Sequence, residues 1–285
     1  MRIAALYVLY NPNWDYLFKS IDSICARVGA IFFYANSIVD DDKEQILLSY
    51  NDNCRIIGNG TNVGIAKALN ELCRAAITDG FDWAVTMDQD SLMPSSFIDE
   101  YIDFVKNHDS LKIGIVCPNY KKGDNSVVKS QTNYIEIDKT ITSGACMNLK
   151  IYQKVNGFKD ELFIDSVDTE YSWKVRLAGY CIIRLMWLVL EHHLGQDPYD
   201  VSVLGKRILT VDNHNYIRCY YITRNTLFIN KEYRKILPQC VKNNKKALKL
   251  LIKVLLFEND KIRKTRSIFW GYWDFKRNVL GKYNH

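Results

Sequence analysis

The sequence predicts an α/β protein with a doubly wound, mixed sheet and helices on both of its faces. Short apolar runs alternate with segments of helical periodicity, in the order β-α-β-α-β over roughly the first 60 residues. The runs are almost continuously apolar, which is typical of strands covered on both sides, and their connections are short. At 285 residues the chain can form one large domain, or one domain with an appendage.

The elements follow from the apolar pattern and from turn and cap residues. The first strand is predicted at residues 3–10, and helical spacing begins at Trp14, with Asn13 as N-cap and Gly29 as the stop. Further strands are predicted at 30–35, 54–57, before Asp88, and at 112–117, 141–147 and 180–190. Further helices are predicted after Asn62, after Pro94, from the segment 163–170 to Gly179, from Tyr216, and at 248–257.

Two glycines and one proline carry additional local expectations. Pro118 is expected to end the strand at 112–117. Gly64 is expected in the first turn of a helix, where it costs about 1 kcal/mol relative to alanine. A ligand approaching the backbone would explain it, and so would close packing of the helix on a strand. Gly144, inside a predicted strand, likewise indicates close approach of a ligand or another backbone.

Bulk composition excludes several classes of protein. An apolar content of 48% with 25% charged residues is ordinary for a globular chain and excludes global disorder. Eight cysteines lie among apolar neighbours without C-x-x-C spacing, which predicts buried, reduced thiols in a cytosolic protein and no zinc site. The apolar N-terminal run lacks the cleavage site of a signal peptide, and no run is long enough to cross a bilayer.

Two carboxylates separated by one residue, Asp88 and Asp90, follow the fourth predicted strand. In an extended segment their side chains would point the same way, about 7 Å apart at the Cα atoms, and a turn beginning at Asp90 would bring them closer. Ligands of open α/β sheets bind beyond the carboxyl ends of the strands, where this pair would lie. Two hard oxygen ligands suit Mg²⁺ or Mn²⁺ carrying a substrate's phosphates. A solvated Asp-rich turn after a strand would give the same short pattern.

A second group of candidate residues lies in the later half of the chain. Asp165 and Asp168 stand three residues apart at a predicted helix start, where carboxylates are also favoured simply as caps. A hydroxyl that attacks an electrophile requires a base, and we expect Asp168 to serve, with Asp165 as the reserve. His192 and His193 follow a long apolar strand. Imidazole there can bind a divalent ion beside carboxylates, although most surface histidines bind nothing.

From Tyr216 onward the chain is predicted to be helical, basic and aromatic. Five lysines lie in or beside the predicted helix at 248–257, and the aromatic-rich run from Ile268 to Phe275 is flanked on both sides by Lys and Arg residues. This composition is typical of a helix at a bilayer interface, so an anionic membrane surface is the expected partner, ahead of nucleic acid. Core helices whose lysines reach into solvent would give the same pattern.

Several short motifs, each weak alone, resemble in order and spacing those of the family 2 inverting glycosyltransferases, in particular the bacterial rhamnosyltransferase-like group. They extend from about Leu6 to Asn230. The motifs are Tyr10-Asn11-Pro12, Asn36-Ser37, residues 62–70, Asp88-Gln89-Asp90, Ser143-Gly144, and residues 163–170, 192–195 and 218–225. The resemblance implies a GT-A (nucleotide-diphospho-sugar transferase) fold. The catalytic domain would occupy residues 1–215, with a nucleotide-sugar half at about 1–118 and an acceptor half at about 119–215. Residues 216–285 would form a C-terminal helical extension.

The resemblance also implies roles for individual residues. Residues on the donor side would be Tyr10, Asn11, Asn36, Asn62, Gly64, Lys67 and Asp88. Asp90 and His192 would hold Mn²⁺ or Mg²⁺, with Asp88 as a further candidate ligand, and Asp168 matches the family's catalytic base. Residues on the acceptor side would be Ser143, Gly144, Glu170 and Arg224. The aspartate that commonly precedes the asparagine after the second strand is Ala35 here, which leaves uridine versus thymidine recognition open.

The expected reaction is inverting transfer of a sugar to a hydroxyl of a surface polysaccharide or lipid-linked oligosaccharide, with L-rhamnose from dTDP-L-rhamnose as the first choice. The expected location is cytoplasmic, peripheral on the inner face of the cell membrane. Alternatives are a UDP-hexose donor, a catalytically silent membrane- or partner-binding module, and a nucleotidyltransferase. The last would more naturally show a Gly-rich phosphate loop near the N-terminus, and none is present. The sequence leaves the acceptor, the linkage position and the oligomeric state open.

Overall fold

The structure is a computed structural model that describes residues 1–50, 52–121, 132–191, 199–203, 206–211 and 213–285. By packing, the chain divides into two compact units. The first comprises residues 1–160 and 168–193, and the second comprises residues 161–167 and 194–285. The domain boundary at residue 216 stays a prediction, since the second unit also takes in the segment 161–167 and the chain before residue 216.

The first unit is built on a mixed sheet. Its strands are β1 (Ile3–Leu9), β2 (Ala30–Ala35), β3 (Arg55–Ile57), β4 (Trp83–Met87), β5 (Ile113–Lys121), β6 (Tyr134–Glu136), β7 (Ala145–Asn148) and β8 (Cys181–Glu191). In the described part of the chain they lie in the order β3-β2-β1-β4-β7-β5-β8-β6. β6 and β7 run opposite to the other strands of this sheet.

Helices cover both faces of this sheet, as predicted. They are α1 (Trp14–Ile24), α2 (Asp41–Ser49), α3 (Ile65–Thr78), α4 (Ser96–Asn107), α5 (Leu149–Lys154) and α6 (Val167–Leu177). α1 and α4 share one core with the odd-numbered residues of β1, such as Tyr7. α3 contacts β1 and β2, and its Cys73 Sγ lies 4.0 Å from Met147 Sδ of β7. Since successive strand residues face opposite sides, both faces are buried, which explains the continuous apolar runs.

Besides the segment 161–167, the described part of the second unit consists of a pair of strands followed by helices. The strands are β9 (Tyr199–Val203) and β10 (Lys206–Val211), which pair with each other, and the helices are α7 (Tyr216–Tyr233), α8 (Pro238–Asn243), α9 (Lys246–Leu256) and α10 (Lys261–Arg277). α7, α9 and α10 share a small apolar core that includes Ile222, Val254 and Ile268. A Cβ at Gly271 of α10 would lie 2.6 Å from the carbonyl oxygen of Tyr220, so only glycine allows α10 to approach α7 this closely.

The structure also bears on the expectations about the cysteines and about membrane-spanning helices. All eight cysteines lie in described residues and are free, and six of them are buried. Within the described residues, no helix combines the length and the apolarity needed to span a membrane.

Three local predictions are wrong, each for a structural reason. β5 continues through Pro118. The register of β5 against β8 shifts between Pro118 and Asn119, and this irregularity accommodates Pro118, which has no backbone N–H to donate. Gly64 is the N-cap of α3 and lies outside its first turn, with a φ of 85° that glycine adopts without strain. Gly144 precedes β7 with a φ of 71°, and its missing Cβ leaves room for the side chain of Leu190.

Candidate active site

Polar residues at the carboxyl ends of β1, β2 and β4 are joined by hydrogen bonds in the first unit. The side-chain amide of Gln89 accepts from the backbone N–H of Tyr10 at 3.0 Å and donates to the carbonyl of Tyr10 at 3.1 Å. The backbone N–H of Asn11 donates to Ser37 Oγ at 2.8 Å. The structure therefore brings the candidate donor residues to one edge of the sheet. The strand-end edge consists of Tyr10, Asn11, Asn36, Asn62, Asp88 and Asp90.

Asn36 fixes the turn that leads into α3. Its Oδ1 accepts from the backbone N–H of Val63 at 2.8 Å, and its Nδ2 donates to Asn62 Oδ1 at 3.3 Å. Asn62 Oδ1 also accepts from the backbone N–H of Gly64 at 3.0 Å. Asn36 is buried by these contacts, whereas Asn62 stays half-buried and Lys67, in the first turn of α3, is exposed. Of these residues, Asn62 and Lys67 can reach a ligand without any rearrangement.

The two carboxylates of the D-x-D motif lie in a turn and not in an extended segment. The backbone N–H of Ser91 donates to the carbonyl of Asp88 at 3.1 Å and closes this turn, which therefore begins at Asp88, two residues before the turn that the sequence allowed at Asp90. Asp88 is half-buried and Asp90 is exposed. Ser91 is buried and anchors the turn, since its carbonyl accepts from Ser20 Oγ and its hydroxyl accepts from Ser143 Oγ at 2.8 Å.

The loop 140–145 is held against the end of β4 by buried hydroxyl groups. Thr86 Oγ1 donates to the carbonyl of Thr142 at 2.5 Å. The hydroxyl of Tyr101 donates to the carbonyl of Gly144 at 2.8 Å, and that of Tyr120 donates to the carbonyl of Ser143 at 2.9 Å. Burial raises the pKa of both tyrosines well above the ordinary value, and nearby Asp88 adds to the rise for Tyr120. Both tyrosines therefore stay neutral donors at physiological pH.

Asp168 lies beside this loop. It lines a pocket of the first unit together with Thr140, Thr142, Tyr171 and Ser172. The carboxylate is half-buried in the first turn of α6, and its Oδ1 accepts from the backbone N–H of Thr169 at 2.7 Å. The Asp168 carboxylate keeps part of its surface exposed, and a carboxylate is chemically suited to take a proton from a hydroxyl group.

Asp165, the reserve candidate for the base, has a different environment in the second unit. Its φ is 63°, and α6 begins only at Val167, so Asp165 and Asp168 do not share a helical face. Both carboxylate oxygens of Asp165 accept from Arg218 of α7, at 2.8 and 3.3 Å. This bidentate ion pair keeps the carboxylate engaged, which favours Asp168 as the base.

The 161–166 turn, which leads into α6, is held by long-range contacts from α7. Phe163, Asp165 and Ser166 all have φ between 63° and 66°, a region that non-glycine residues rarely adopt. The fully buried Nδ2 of Asn225 donates to the carbonyls of Leu162, Ile164 and Asp165 at 2.7 to 3.0 Å. These contacts make the unusual backbone of the turn stable within the second unit.

The contact of four residues with an acceptor stays a prediction, and the structure shows their burial. Ser143, Gly144, Glu170 and Arg224 are all buried. Glu170 lies 3.5 Å from the Lys174 ammonium, and Arg224 donates to the carbonyl of Gly281 at 2.7 Å. Because a buried side chain cannot touch a solute without rearrangement, contact of any of these residues with an acceptor would require a local rearrangement.

The structure describes only some of the candidate metal ligands. His192 lies outside the described residues, and among the residues that are described no group of three or more His, Cys, Asp or Glu side chains could hold an ion. The exposed Asp90 and half-buried Asp88 still have the right ligand chemistry. Mg²⁺ is usually bound by one or two carboxylates and completes its shell with substrate phosphates and water. The pair thus fits an ion that arrives with a phosphorylated ligand.

Several supporting residues received no individual role in the predictions from the sequence, although Gln89 and Asn225 lie within the motifs named above. These supporting residues are Thr86, Gln89, Ser91, Tyr101, Tyr120 and Asn225. Most of them share one signal, a hydrogen-bonding side chain inside an otherwise apolar run or next to a candidate motif. A buried polar side chain needs a hydrogen-bond partner, so these positions could have been predicted to hold a loop against the core. The sequence pattern does not show which loop each of them holds.

Comparison with known proteins identifies the class. The family model for glycosyl transferase family 2 matches residues 6–160, which is more than half of the chain, and the chain therefore belongs to this family. It is a glycosyltransferase. The resemblance stated from the sequence motifs is confirmed.

Individual relatives extend this result. The chain is 25% identical to dTDP-rhamnosyl transferase RfbF of Shigella flexneri over 247 residues, which cover 80% of this chain and 79% of that protein. Among solved structures, S. aureus TarS 1–349 superposes with a TM-score of 0.66 at 12% identity, over 98% of this chain and 81% of TarS 1–349. GalNAc-T7 with UDP, GalNAc and Mn²⁺ gives a TM-score of 0.59 at 10% identity, over 89% of this chain and 57% of that one. These structures confirm the predicted GT-A fold.

Proposed function

We propose that this glycosyltransferase moves L-rhamnose from dTDP-L-rhamnose to a hydroxyl group of a glycan or lipid-linked acceptor, with inversion at the anomeric carbon. The observation that carries the choice of sugar is the 25% identity to a dTDP-rhamnosyl transferase over 80% of the chain. The strand-end edge supports donor binding, because its partly exposed amide and carboxylate groups lie beyond the carboxyl ends of parallel strands, where open α/β sheets bind ligands.

In this mechanism Asp168 is the general base. It accepts the proton of the acceptor hydroxyl while the hydroxyl oxygen bonds to the anomeric carbon, and the bond from that carbon to the diphosphate oxygen breaks. One displacement inverts the anomeric configuration through a transition state of oxocarbenium character. The hydrogen-bonded loop 140–145 and the start of α6 hold the pocket in place, and this preorganisation contributes by orienting the reactants.

A divalent ion is part of the proposal. Asp90, with Asp88 and His192 as further candidates, would hold Mn²⁺ or Mg²⁺. When bound, the ion would act as a Lewis acid that stabilises negative charge on the departing nucleoside diphosphate. The half-buried position of Asp88 and the exposed position of Asp90 are compatible with this role.

A UDP-sugar donor is the second candidate. It is favoured by one observation, that TarS 1–349 in complex with UDP-GlcNAc superposes on 98% of this chain with a TM-score of 0.63, at 14% identity and over 82% of TarS 1–349. Ala35, at the position where the family commonly has an aspartate, is compatible with either base. A catalytically silent module could bind a donor but would not transfer its sugar.

Donor binding and product analysis test the proposal together. A ligand that binds only the native state raises the melting temperature by RT ln(1 + [L]/Kd), so a thermal-shift screen with and without Mn²⁺ ranks the donors. We expect dTDP-L-rhamnose with Mn²⁺ to give the largest shift, ahead of UDP-GlcNAc and UDP-glucose. Transfer to an acceptor, followed by NMR of the anomeric proton, should show inversion. A larger shift with a UDP-sugar would replace the rhamnosyl assignment, and binding without turnover would favour the silent module.

Peripheral association with the inner face of the cell membrane belongs to the same proposal, since a lipid-linked acceptor would be presented there. It has its own structural support in the second unit.

A further inference from the structure

α9 presents two apolar stripes, of which only one is packed. The packed stripe consists of Leu250 and Val254, which contribute to the core of the second unit with α7 and α10. The second stripe is exposed to solvent. It consists of Leu248, Ile252, Leu255 and Leu256, which are 57%, 45%, 50% and 62% exposed. Their spacing of i, i+4, i+7 and i+8 places them on one face of the helix.

Lysines flank the exposed stripe. Lys245, Lys249 and Lys253 follow one another at a spacing of four residues, and Lys246 begins the helix. Neither Asp nor Glu occurs within α9. An apolar face beside a row of ammonium groups differs from an ordinary solvent-facing helix, in which polar and acidic residues would occupy the exposed side.

The charge around α9 has the same sign. From Arg234 to His285 the sequence contains 14 Lys and Arg residues against three Asp and Glu residues. Two of those three acids are engaged internally, since Glu258 pairs with Lys264 at 2.7 Å and Asp274 pairs with His285 at 2.7 Å. The remainder of the chain carries more acidic than basic residues. The positive charge is therefore concentrated in the second unit.

Exposed aromatic residues on α10 add a second interfacial feature. Phe269, Tyr272 and Trp273 are each about half exposed, and the rings of Phe269 and Trp273 stack at 6.2 Å. Aromatic rings close to cations are enriched where a protein meets lipid head groups. Nucleic acid would satisfy the positive charge of this region, but it would leave the aliphatic stripe of α9 in contact with water.

We propose that the exposed stripe of α9, with its flanking lysines, is a docking surface for an anionic lipid bilayer. The aliphatic side chains would enter the boundary between head groups and acyl chains, and the lysines would lie at the level of the phosphates. This surface is separate from the residues assigned to the transfer reaction, so the inference does not depend on the sugar or on the metal.

Vesicle co-sedimentation of the full chain tests the proposal without nucleotide, metal or acceptor. We expect binding to vesicles containing 30% phosphatidylglycerol, and at least tenfold weaker binding to pure phosphatidylcholine. Replacing two lysines by glutamate (K246E/K249E) should weaken binding by about 30-fold or more, given about 1 kcal/mol for each basic residue near an anionic surface. Replacing two exposed leucines (L248Q/L255Q) should weaken it by about tenfold or more, because their burial in the interface is lost.

Matched variants in the first unit provide the controls. K106E/K150E removes two exposed lysines, and I46Q/L48Q replaces two exposed aliphatic side chains of α2, so both should bind vesicles like the wild type. Unfolding by urea checks that every variant is folded. Equal binding of the α9 variants and the wild type would overturn the proposal. It would also be overturned by a dimer that forms without vesicles and is lost in L248Q/L255Q, or by full competition from duplex DNA. Because donor is absent, none of these results bears on the transfer reaction.

Discussion

The strand-end edge of the first unit and the 161–166 turn of the second unit use similar polar side chains in opposite ways. At the strand-end edge, Asn62 and Asp88 stay half-buried and Asp90 is exposed, so these groups remain accessible to a ligand. Around the turn, Arg224 and Asn225 are fully buried and donate to backbone carbonyls. Polar residues in a motif can therefore form a binding surface or a scaffold, and their burial distinguishes the two.

This contrast predicts two kinds of variant. Changes to accessible carboxylates and amides should alter kinetics or donor affinity at nearly constant stability. Changes to the buried donors should lower the free energy of unfolding first and alter kinetics only through the position of the loops that they hold.

The largest effect is expected for Asp168→Asn. Removing the general base should lower kcat by about 10²- to 10⁴-fold, while donor affinity and melting temperature stay unchanged. Steady-state kinetics and thermal shift with donor measure both quantities. Asp165→Asn is the matched control, since it removes one charge from the ion pair with Arg218 and should lower stability with a much smaller loss of kcat. The reverse ranking of the two variants would move the base to Asp165.

Asp90→Ala should lower kcat/KM by about 100-fold or more, because a bound ion supplies several kcal/mol of charge stabilisation in such reactions. Added Mn²⁺ should no longer increase donor affinity, which titration calorimetry can measure. Asp103→Ala, which removes an exposed carboxylate from α4, is the control and should behave like the wild type. Full activity of the wild type in EDTA would remove the ion from the mechanism.

Asn225→Ala should be the most destabilising of the scaffold variants. It leaves the carbonyls of Leu162, Ile164 and Asp165 without this donor, and we expect a loss of about 3 kcal/mol in the free energy of unfolding. We also expect kcat to fall with donor affinity retained, because the turn leads directly into α6 and Asp168. Urea unfolding and single-turnover kinetics measure the two effects.

Asn230→Ala is the matched control on α7. Its Nδ2 donates to the carbonyl of Asn244 at 3.0 Å, away from the 161–166 turn. It should lower stability but leave kcat unchanged. If both variants lowered kcat equally, the loss would reflect general destabilisation and not the position of the turn.

The smallest effect is expected for Ser143→Ala. The variant removes one buried hydrogen bond to Ser91 Oγ, which should cost about 1 kcal/mol of stability. Because the Ser143 hydroxyl is buried within the loop 140–145, kcat and the KM for the acceptor should change by less than about twofold. A large rise in the acceptor KM at unchanged stability would instead show that Ser143 contacts the acceptor, as the resemblance implies.

Much of the strand-end edge could be predicted because it is local in sequence. The asparagines and carboxylates follow directly after apolar strands, and parallel strands bring their carboxyl ends to one edge of a sheet. The exact position of the D-x-D turn could not be predicted, since the contacts that anchor it through Ser91 involve Ser20 and Ser143, 71 and 52 residues away in sequence. The tail was correctly predicted to be helical, but its division into buried and exposed apolar faces was not visible.

The sequence by itself determined the α/β class, the succession of strands and helices, and the types of side chain that end each strand, because these depend on periodicity and on neighbouring residues. Only the tertiary structure decided which polar side chains remain accessible. Asn225 meets the carbonyl of Leu162 across 63 residues, and Tyr101 meets that of Gly144 across 43. A buried polar group must find a partner, but its identity depends on how distant segments pack, which no local pattern encodes.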